Sequence, residues 1–388
     1  VKGKTKFQLI FNLTPFYPEG GGQVGDTGFI EDNQGMVQIK DTKKENGVIV
    51  HYVDQLPKNL NSSFHGQVDL ERRIKISKNH SATHLLHHAL RDILGTHVEQ
   101  KGSLVNENYL RFDFSHFSKL NPQELELIEQ KVNNQIREAN SLIEERNIPM
   151  EIAKQRGAIM LFGEKYGDSV RVIQFGKSIE LCGGIHVSNS ANIGNFKISS
   201  ESSISSGIRR IEALCDKKAD EEISNKLNEY EAISKLLKHP QELLSAVELL
   251  QSNNQSLQKK LDSYNSIRLK EVKKQLLSAK KELDSFSIIE DQSDLSGDEM
   301  KQIIFEIKAE MKNLVVLLLS NQNNKPFISL MISEDLVKSK NWNAGLIIRE
   351  LAKEIKGGGG GQSFFATAGG SDVNGLKNVT LKAREIFK

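Results

Sequence analysis

A chain of 388 residues is too long for one compact core and predicts two or three domains. Charged residues at 26% and apolar residues at 38% are ordinary for a soluble protein, and a net charge of +2 is too small to argue for nucleic acid, so any RNA-binding surface must be a local patch. Two cysteines exclude a disulfide framework and point to a reducing, cytoplasmic compartment; no apolar run approaches the roughly 20 residues of a membrane span, so no membrane partner is expected.

The chain opens on Val1 within a strand-like stretch and without a methionine, which predicts a piece of something longer. Residues 5 to 70 read as a β-rich unit. Thr5 to Leu13 alternates in strand fashion, and short strands follow, split by Asn-Gln-Gly and Glu-Asn-Gly turns. Between them lies Gly20-Gly-Gly-Gln-Val-Gly-Asp-Thr-Gly28, where the glycines imply a barrel corner or a close approach of backbone to a ligand.

A helix is predicted from about Lys75 to Leu94, with Ile76, Leu85, Leu86, Ala89, Leu90 and Ile93 as its apolar side and Gly95 as its stop. It carries His80 and His84, four positions apart and therefore on one face. Cys182-Gly-Gly-Ile-His186 supplies a matching pair on a tight, glycine-permitted turn. Three imidazoles and one thiolate make a tetrahedral zinc set by ligand type and count, one Zn2+ per chain. His87, His88 and His97 lie nearby and read as solvated helix faces.

Asn121-Pro122 opens the next helix, with Leu125, Ile128, Val132, Ile136, Ala139 and Ile143 as its buried stripe. Short strands are then expected at Tyr109 to Phe114, Met150 to Ala153, Val170 to Gln174, Phe196 to Ser199 and Ile208 to Leu214, giving an α+β layer with helices on one sheet face. Arg209 and Arg210 sit side by side on a strand, so at most one can look into a cleft.

Helices are expected over 217 to 238 and from Gln241 to about Ser285, broken at His239-Pro240. Leu243, Val247, Leu250, Asn254, Leu257, Leu261 and Tyr264 form a heptad seam with one polar position. We expect it to close as an intrachain hairpin, with homodimerisation as the alternative. Asp291-Gln-Ser-Asp-Leu-Ser-Gly-Asp-Glu299 reads as a polar linker. Leu314 to Leu319 and Phe327 to Ile332 read as buried strands, and Asn343 to Ile355 as an amphipathic helix ending at Lys356. The glycines Gly357, Gly358, Gly359, Gly360 and Gly361 suit either a mobile loop or a phosphate cradle, without the lysine and serine of a P-loop. Lys353, Lys356, Lys377 and Lys382 are available to neutralise a nucleic-acid backbone.

The runs RRIKISKNHSATHLLHHALRDILGTHVEQKGSLVNENYLRFDFSH and SIELCGGIHVSNSANIGNFKISSESSISSGIRRIEAL resemble the editing domain of alanyl-tRNA synthetases. TPFYPEGGGQVGDTGFI resembles the same family's editing barrel, and GGGGGQSFFATAGG its C-terminal tRNA-binding domain. The resemblance implies an α+β protein: a β-rich, barrel-like part of the editing domain over 1–70, a zinc-binding α+β editing domain over 71–215, a helical hairpin or coiled coil over 216–286, and a small α/β tRNA-binding domain over 287–388. It implies hydrolysis of Ser-tRNA(Ala) and Gly-tRNA(Ala), with Gln23 and Thr27 lining the aminoacyl pocket, where a threonine hydroxyl can pair with a serine hydroxyl. It gives Gln100 a role in placing the tRNA end or a water, and makes Arg209, Arg210, Lys353, Lys356 and the glycine run tRNA contacts. No aminoacylation core is legible, so ligase activity, and with it ATP, is expected only of a full-length enzyme. The alternatives are a free-standing trans-editing alanyl-tRNA deacylase and a non-enzymatic, zinc-stabilised RNA-binding or oligomerisation module.

Overall fold

A computed structural model describes residues 7–160 and 166–388 and shows an α+β protein divided into two compact units, Val1–Lys238 and His239–Lys388. The expected strand at Thr5 to Leu13 begins outside the described residues; within them it is β1 (Phe7–Leu9). With β2 (Gly28–Asp32), β3 (Gly35–Glu45), β4 (Val48–Val53) and β5 (His65–Val68) it forms an antiparallel sheet ordered β1-β4-β3-β2-β5. β1 and β5 stand at its two edges, so the paired strands make an open row and not a closed ring.

α1 (Leu70–Leu94) starts five residues before the periodicity suggests, because the Asp69 side chain caps it through the Arg72 amide. β6 (Gln100–Val105), β7 (Leu110–Ser115), α2 (Pro122–Arg137), β8 (Ile143–Pro149), α3 (Met150–Gln155), β9 (Ser169–Phe175), β10 (Ser178–Leu181), β11 (Phe196–Ser205), β12 (Ile208–Cys215) and α4 (Lys217–Leu236) complete the first unit. They build two further sheets, β11-β12-β7-β6 and β10-β9-β8. α1 lies at the centre: Leu85, Leu86, Ala89 and Leu90 are at most 1% exposed and pack with Phe112, Phe114, Ile173 and Ile211. Each such leucine contributes about 2 kcal/mol of burial.

Three expectations fail here. Met150–Gln155 is a short helix, and the strand runs before it, over Ile143–Pro149. α2 stops at Arg137, since Ala139 takes a left-handed φ of 52°, so Ala139 and the 49% exposed Ile143 leave the buried stripe. His87 is 1% exposed instead of solvated, because β10 brings Glu180 against it.

The second unit opens with α5 (Leu243–Ser278), which ends earlier than expected because β13 (Lys281–Leu283) and β14 (Phe286–Ser293) form a hairpin there. Leu250, Leu257, Leu261 and Tyr264 are 58, 63, 54 and 71% exposed, so among the described residues of the second unit nothing covers this part of the seam. The expected polar linker is instead the end of β14 and the capped start of α6 (Gly297–Glu310): Ser296 and Glu299 complete a reciprocal capping box.

β15 (Leu314–Gln322), β16 (Lys325–Ile332), α7 (Glu334–Ser339), α8 (Ala344–Leu351), β17 (Gly358–Gly361), β18 (Phe365–Gly369) and α9 (Leu376–Ile386) follow. The sheet order is β13-β14-β15-β16-β18-β17, with β14 and β15 parallel. Val315, Leu317 and Leu319 face α8 and α9, while Leu314, Val316 and Leu318 face α5 and α6, which explains the uninterrupted apolar run of a doubly covered strand. Of the glycine run, Gly358–Gly361 form β17, paired with β18, and not a mobile loop. A Cβ on Gly359 would stand 2.4 Å from the Ala368 Cβ, so the close approach itself requires glycine.

Candidate metal centre

His80 and His84 project from buried turns of α1, and β10 delivers Cys182 immediately after Leu181. The four donor atoms of His80, His84, Cys182 and His186 lie within 4.8 Å of one another. Cys182 Sγ is 3.4 Å from His80 Nε2 and 3.3 Å from His186 Nε2. A tetrahedral zinc with ordinary bond lengths separates nitrogen and sulfur ligands by about 3.5 Å. The donor set therefore suits a zinc ion in chemistry and number, and the two sulfur–nitrogen separations match its tetrahedral spacing.

The outer groups point the same way. His80 Nδ1 donates to Gln23 Oε1 at 2.7 Å, which leaves its Nε2 as the lone-pair donor toward the thiol, and His186 Nδ1 is 3.1 Å from Ser81 Oγ. His84 Nδ1 is buried with no hydrogen-bond partner, an unmet need that a metal ion would satisfy. Burial, reinforced by the neighbouring imidazoles, holds His80 and His186 well below the usual imidazole range, and burial lowers His84 against the opposing pull of Glu180. All three are thus neutral ligands near pH 7, with no proton to displace. Burial alone would raise the Glu180 carboxyl, but His84 and His87 outweigh it and keep it ionised between them.

The Cys182–His186 loop is held by Arg171 on β9, whose guanidinium donates to the carbonyls of Cys182 at 2.9 Å and Gly184 at 2.6 Å. Glu144 receives the same guanidinium at 2.9 Å, and Arg171 with Arg146 lowers its carboxyl to about 2. A cleft of ≈ 570 Å³, lined by Tyr17, Glu144, Arg171, Gly183, Gly184 and His186 among others, opens directly on the loop.

The structure gathers Gln23 with the four ligands but sets other expected residues apart. Thr27 does not line the cleft, and its carbonyl receives the Asp69 amide. Gln100 begins β6, whose far end, Val105, pairs with Gln23; five strand residues put roughly 17 Å between those ends. Arg209 is engaged by Glu201, and Arg210 binds both oxygens of Asp113 at 2.6 and 2.7 Å. In the second unit Lys356 pairs with Asp372 at 2.9 Å, while Lys353 is exposed. Arg171 and Glu180 were missed in the sequence, although Glu180 shares strand parity with Cys182 and is a charge in an otherwise apolar run.

Three family models match. "Threonyl and Alanyl tRNA synthetase second additional domain" covers residues 170–212, including Arg171, Glu180, Cys182 and His186. "tRNA synthetases class II (A)" covers 1–72, a segment in which we read no aminoacylation motif, and "DHHA1 domain" covers 284–388. The alanine–tRNA ligase of Christiangramia forsetii is 48% identical over 383 residues, 98% of this chain. That of Cytophaga hutchinsonii is 46% identical over 390 residues, 100% of this chain. The chain belongs to the alanine–tRNA ligase family.

It spans 44% of the length of each of those two ligases. The Bacteroides thetaiotaomicron ligase, 42% identical over 386 residues, is matched over 99% of this chain and 44% of its own length. Among solved structures, the C-Ala domain from Aquifex aeolicus alanyl-tRNA synthetase is 23% identical, with 28% of this chain and 96% of that domain covered at a TM-score of 0.26.

Proposed function

We propose that the chain is the editing and tRNA-binding portion of an alanine–tRNA ligase, which hydrolyses the ester of serine or glycine mischarged to alanine tRNA. The observation that carries this reading is the four-donor set, of which His186 lines a solvent-reached cleft and Cys182 and His186 fall in the segment that matches the threonyl and alanyl synthetase domain. Ester hydrolysis needs an activated water and stabilisation of a developing oxyanion. Zn2+ held by His80, His84, Cys182 and His186 would supply a Lewis acid there.

The chain's own residues do the rest. Gln23, which is 0% exposed, orients His80 from behind, so we assign it positioning and not substrate contact. Glu144 is too acidic to accept a proton near pH 7; its work is to aim Arg171, which in turn sets the loop. Thr27 is proposed to recognise the serine hydroxyl and Gln100 to place the tRNA end. Arg209, Arg210, Lys353, Lys356 and the Gly357 to Gly361 run are proposed tRNA contacts. The 1–70 and 71–215 segments are proposed to act together as the editing domain, 287–388 as the tRNA-binding domain, and the bare α5 seam as a contact to a second copy in the cytoplasm. ATP-dependent charging is left to the portion of the ligase beyond this chain.

A complete four-ligand shell also favours a second reading, a non-enzymatic, zinc-stabilised RNA-binding module. Hydrolysis of serine-charged alanine tRNA by the folded chain separates the two. Turnover supports editing, and a folded, metal-loaded chain that binds the tRNA without turnover supports the module.

A further inference from the structure

At the end of β6 opposite to the one that meets Gln23, three aromatic rings lie nearly parallel at the surface: His97 just before β6, and His116 and Phe117 just after β7. The His97 ring is 5.9 Å from that of Phe117 between centroids, with 19° between their planes, and 5.3 Å from that of His116, with 25°. Both are offset stacks. Phe117 is 89% exposed, so the ring contributes almost nothing to folding by burial and keeps a face in water. The supports beneath it are fixed. The His116 amide donates to the Gly207 carbonyl at 3.0 Å, Ser115 Oγ donates to the His97 carbonyl at 2.8 Å, and His97 Nε2 shares a hydrogen bond with His116 Nδ1 at 3.0 Å.

A single exposed phenylalanine needs no explanation. One held flat on an imidazole, with its other face free, is arranged to take a further flat ring, and every nucleobase offers such a face. The surrounding charge suits the same ligand. The carboxylates whose fields reach His116 are engaged elsewhere, Glu201 with Arg209 and Glu124 in the capping box of α2, and Glu99 pairs with Lys101. Lys119, exposed two residues beyond Phe117, has no ion pair among the described residues and is available to a phosphate. Gln100, to which we assign the placing of the tRNA end, stands opposite Phe114 in the register of β6 and β7, and so at this same end of the sheet.

We propose that the Phe117, His97 and His116 stack is a platform on which one unpaired base of an RNA strand sits, against the open face of Phe117. The platform rests on the reading of the chain as a tRNA-binding protein and adds a contact outside the hydrolytic cleft. It recognises a base by its flat face and so discriminates little among the four.

The test uses the full chain and uncharged alanine tRNA, with Kd measured at several salt concentrations. Phe117→Ala is expected to weaken binding about fivefold or more, the loss of one base-on-ring stack, with the salt slope unchanged because no phosphate contact is removed. Phe117→Leu, apolar but not flat, is expected to lose as much. Phe117→Trp is expected to keep the affinity, and the fluorescence of the new indole to be quenched as tRNA is added. Unchanged affinity in Phe117→Ala, or an unquenched indole at saturating tRNA, would overturn the platform while leaving the tRNA-binding reading intact. Full affinity in Phe117→Leu together with loss in Phe117→Ala would overturn base stacking in favour of an apolar contact. A wild-type chain that deacylates nothing and binds no tRNA would overturn the functional reading, and the platform with it.

Discussion

Gln23 Oε1 lies 2.7 Å from His80 Nδ1 and at the same time accepts the Ile185 amide at 2.9 Å. One side-chain oxygen from the β-rich segment thus holds both halves of the metal set, the helix and the loop, in register. Such outer hydrogen bonds typically carry 10- to 100-fold in metal affinity. Gln23→Ala is therefore expected to weaken zinc binding by about tenfold or more, measured by chelator competition, while the chain stays folded. Affinity equal to that of the unaltered chain would remove Gln23 from the centre.

The two glycines of the loop are not equivalent. A Cβ on Gly184 would stand 2.0 Å from His80 Cε1 and 2.9 Å from Gln23 Oε1, whereas a Cβ on Gly183 meets nothing within 4 Å. Gly184→Ala should displace His80 and abolish stoichiometric zinc, and Gly183→Ala should retain it, both read by metal analysis of purified protein.

Part of this site was legible in the sequence because helical spacing and ligand chemistry are local. His80 and His84 had to share a face, and a cysteine among glycines four residues before a histidine had few other uses. What was not legible came from partners distant in the chain. His87 read as solvated because its spacing gives no hint of Glu180, 93 residues later. The heptad seam falls on the helix α5, yet period alone does not say what covers it. Gly357 to Gly361 read as a loop or a cradle because glycine disfavours strands, whereas the crowding by Ala368 at Gly359 and by Ala366 at Gly361 makes glycine the residue that fits at those two positions.

Acid sensitivity follows from Glu144. Its carboxyl is lowered from 4.5 to about 2, first by Arg171 and then by Arg146, so the unfolded chain takes up the proton first as pH falls. The stability that this ion pair contributes is complete above pH 4.5 and is lost progressively between 4.5 and about 2. Its partial exposure keeps the magnitude modest. The gap in melting temperature between the unaltered chain and Glu144→Gln should narrow across that window; a constant gap would mean that the charge does not act on the loop.

On α5, Leu257 and Leu261 are 63 and 54% exposed, so lysine at both positions removes little packing within the second unit. If a second copy covers the seam, Leu257→Lys with Leu261→Lys should halve the mass seen by light scattering without lowering the melting temperature. A mass unchanged by the substitutions would show that α5 is not the contact.

The central claim, that the four-ligand centre supports selective ester hydrolysis, is tested most directly by deacylation of serine-charged alanine tRNA. The zinc-loaded chain and Cys182→Ala are compared, with alanine-charged tRNA as the control. Rapid loss of serine, little loss of alanine, and near-background rates in Cys182→Ala are the predicted result. Equal release of both amino acids, or serine release that survives in a folded Cys182→Ala chain without metal, would contradict it.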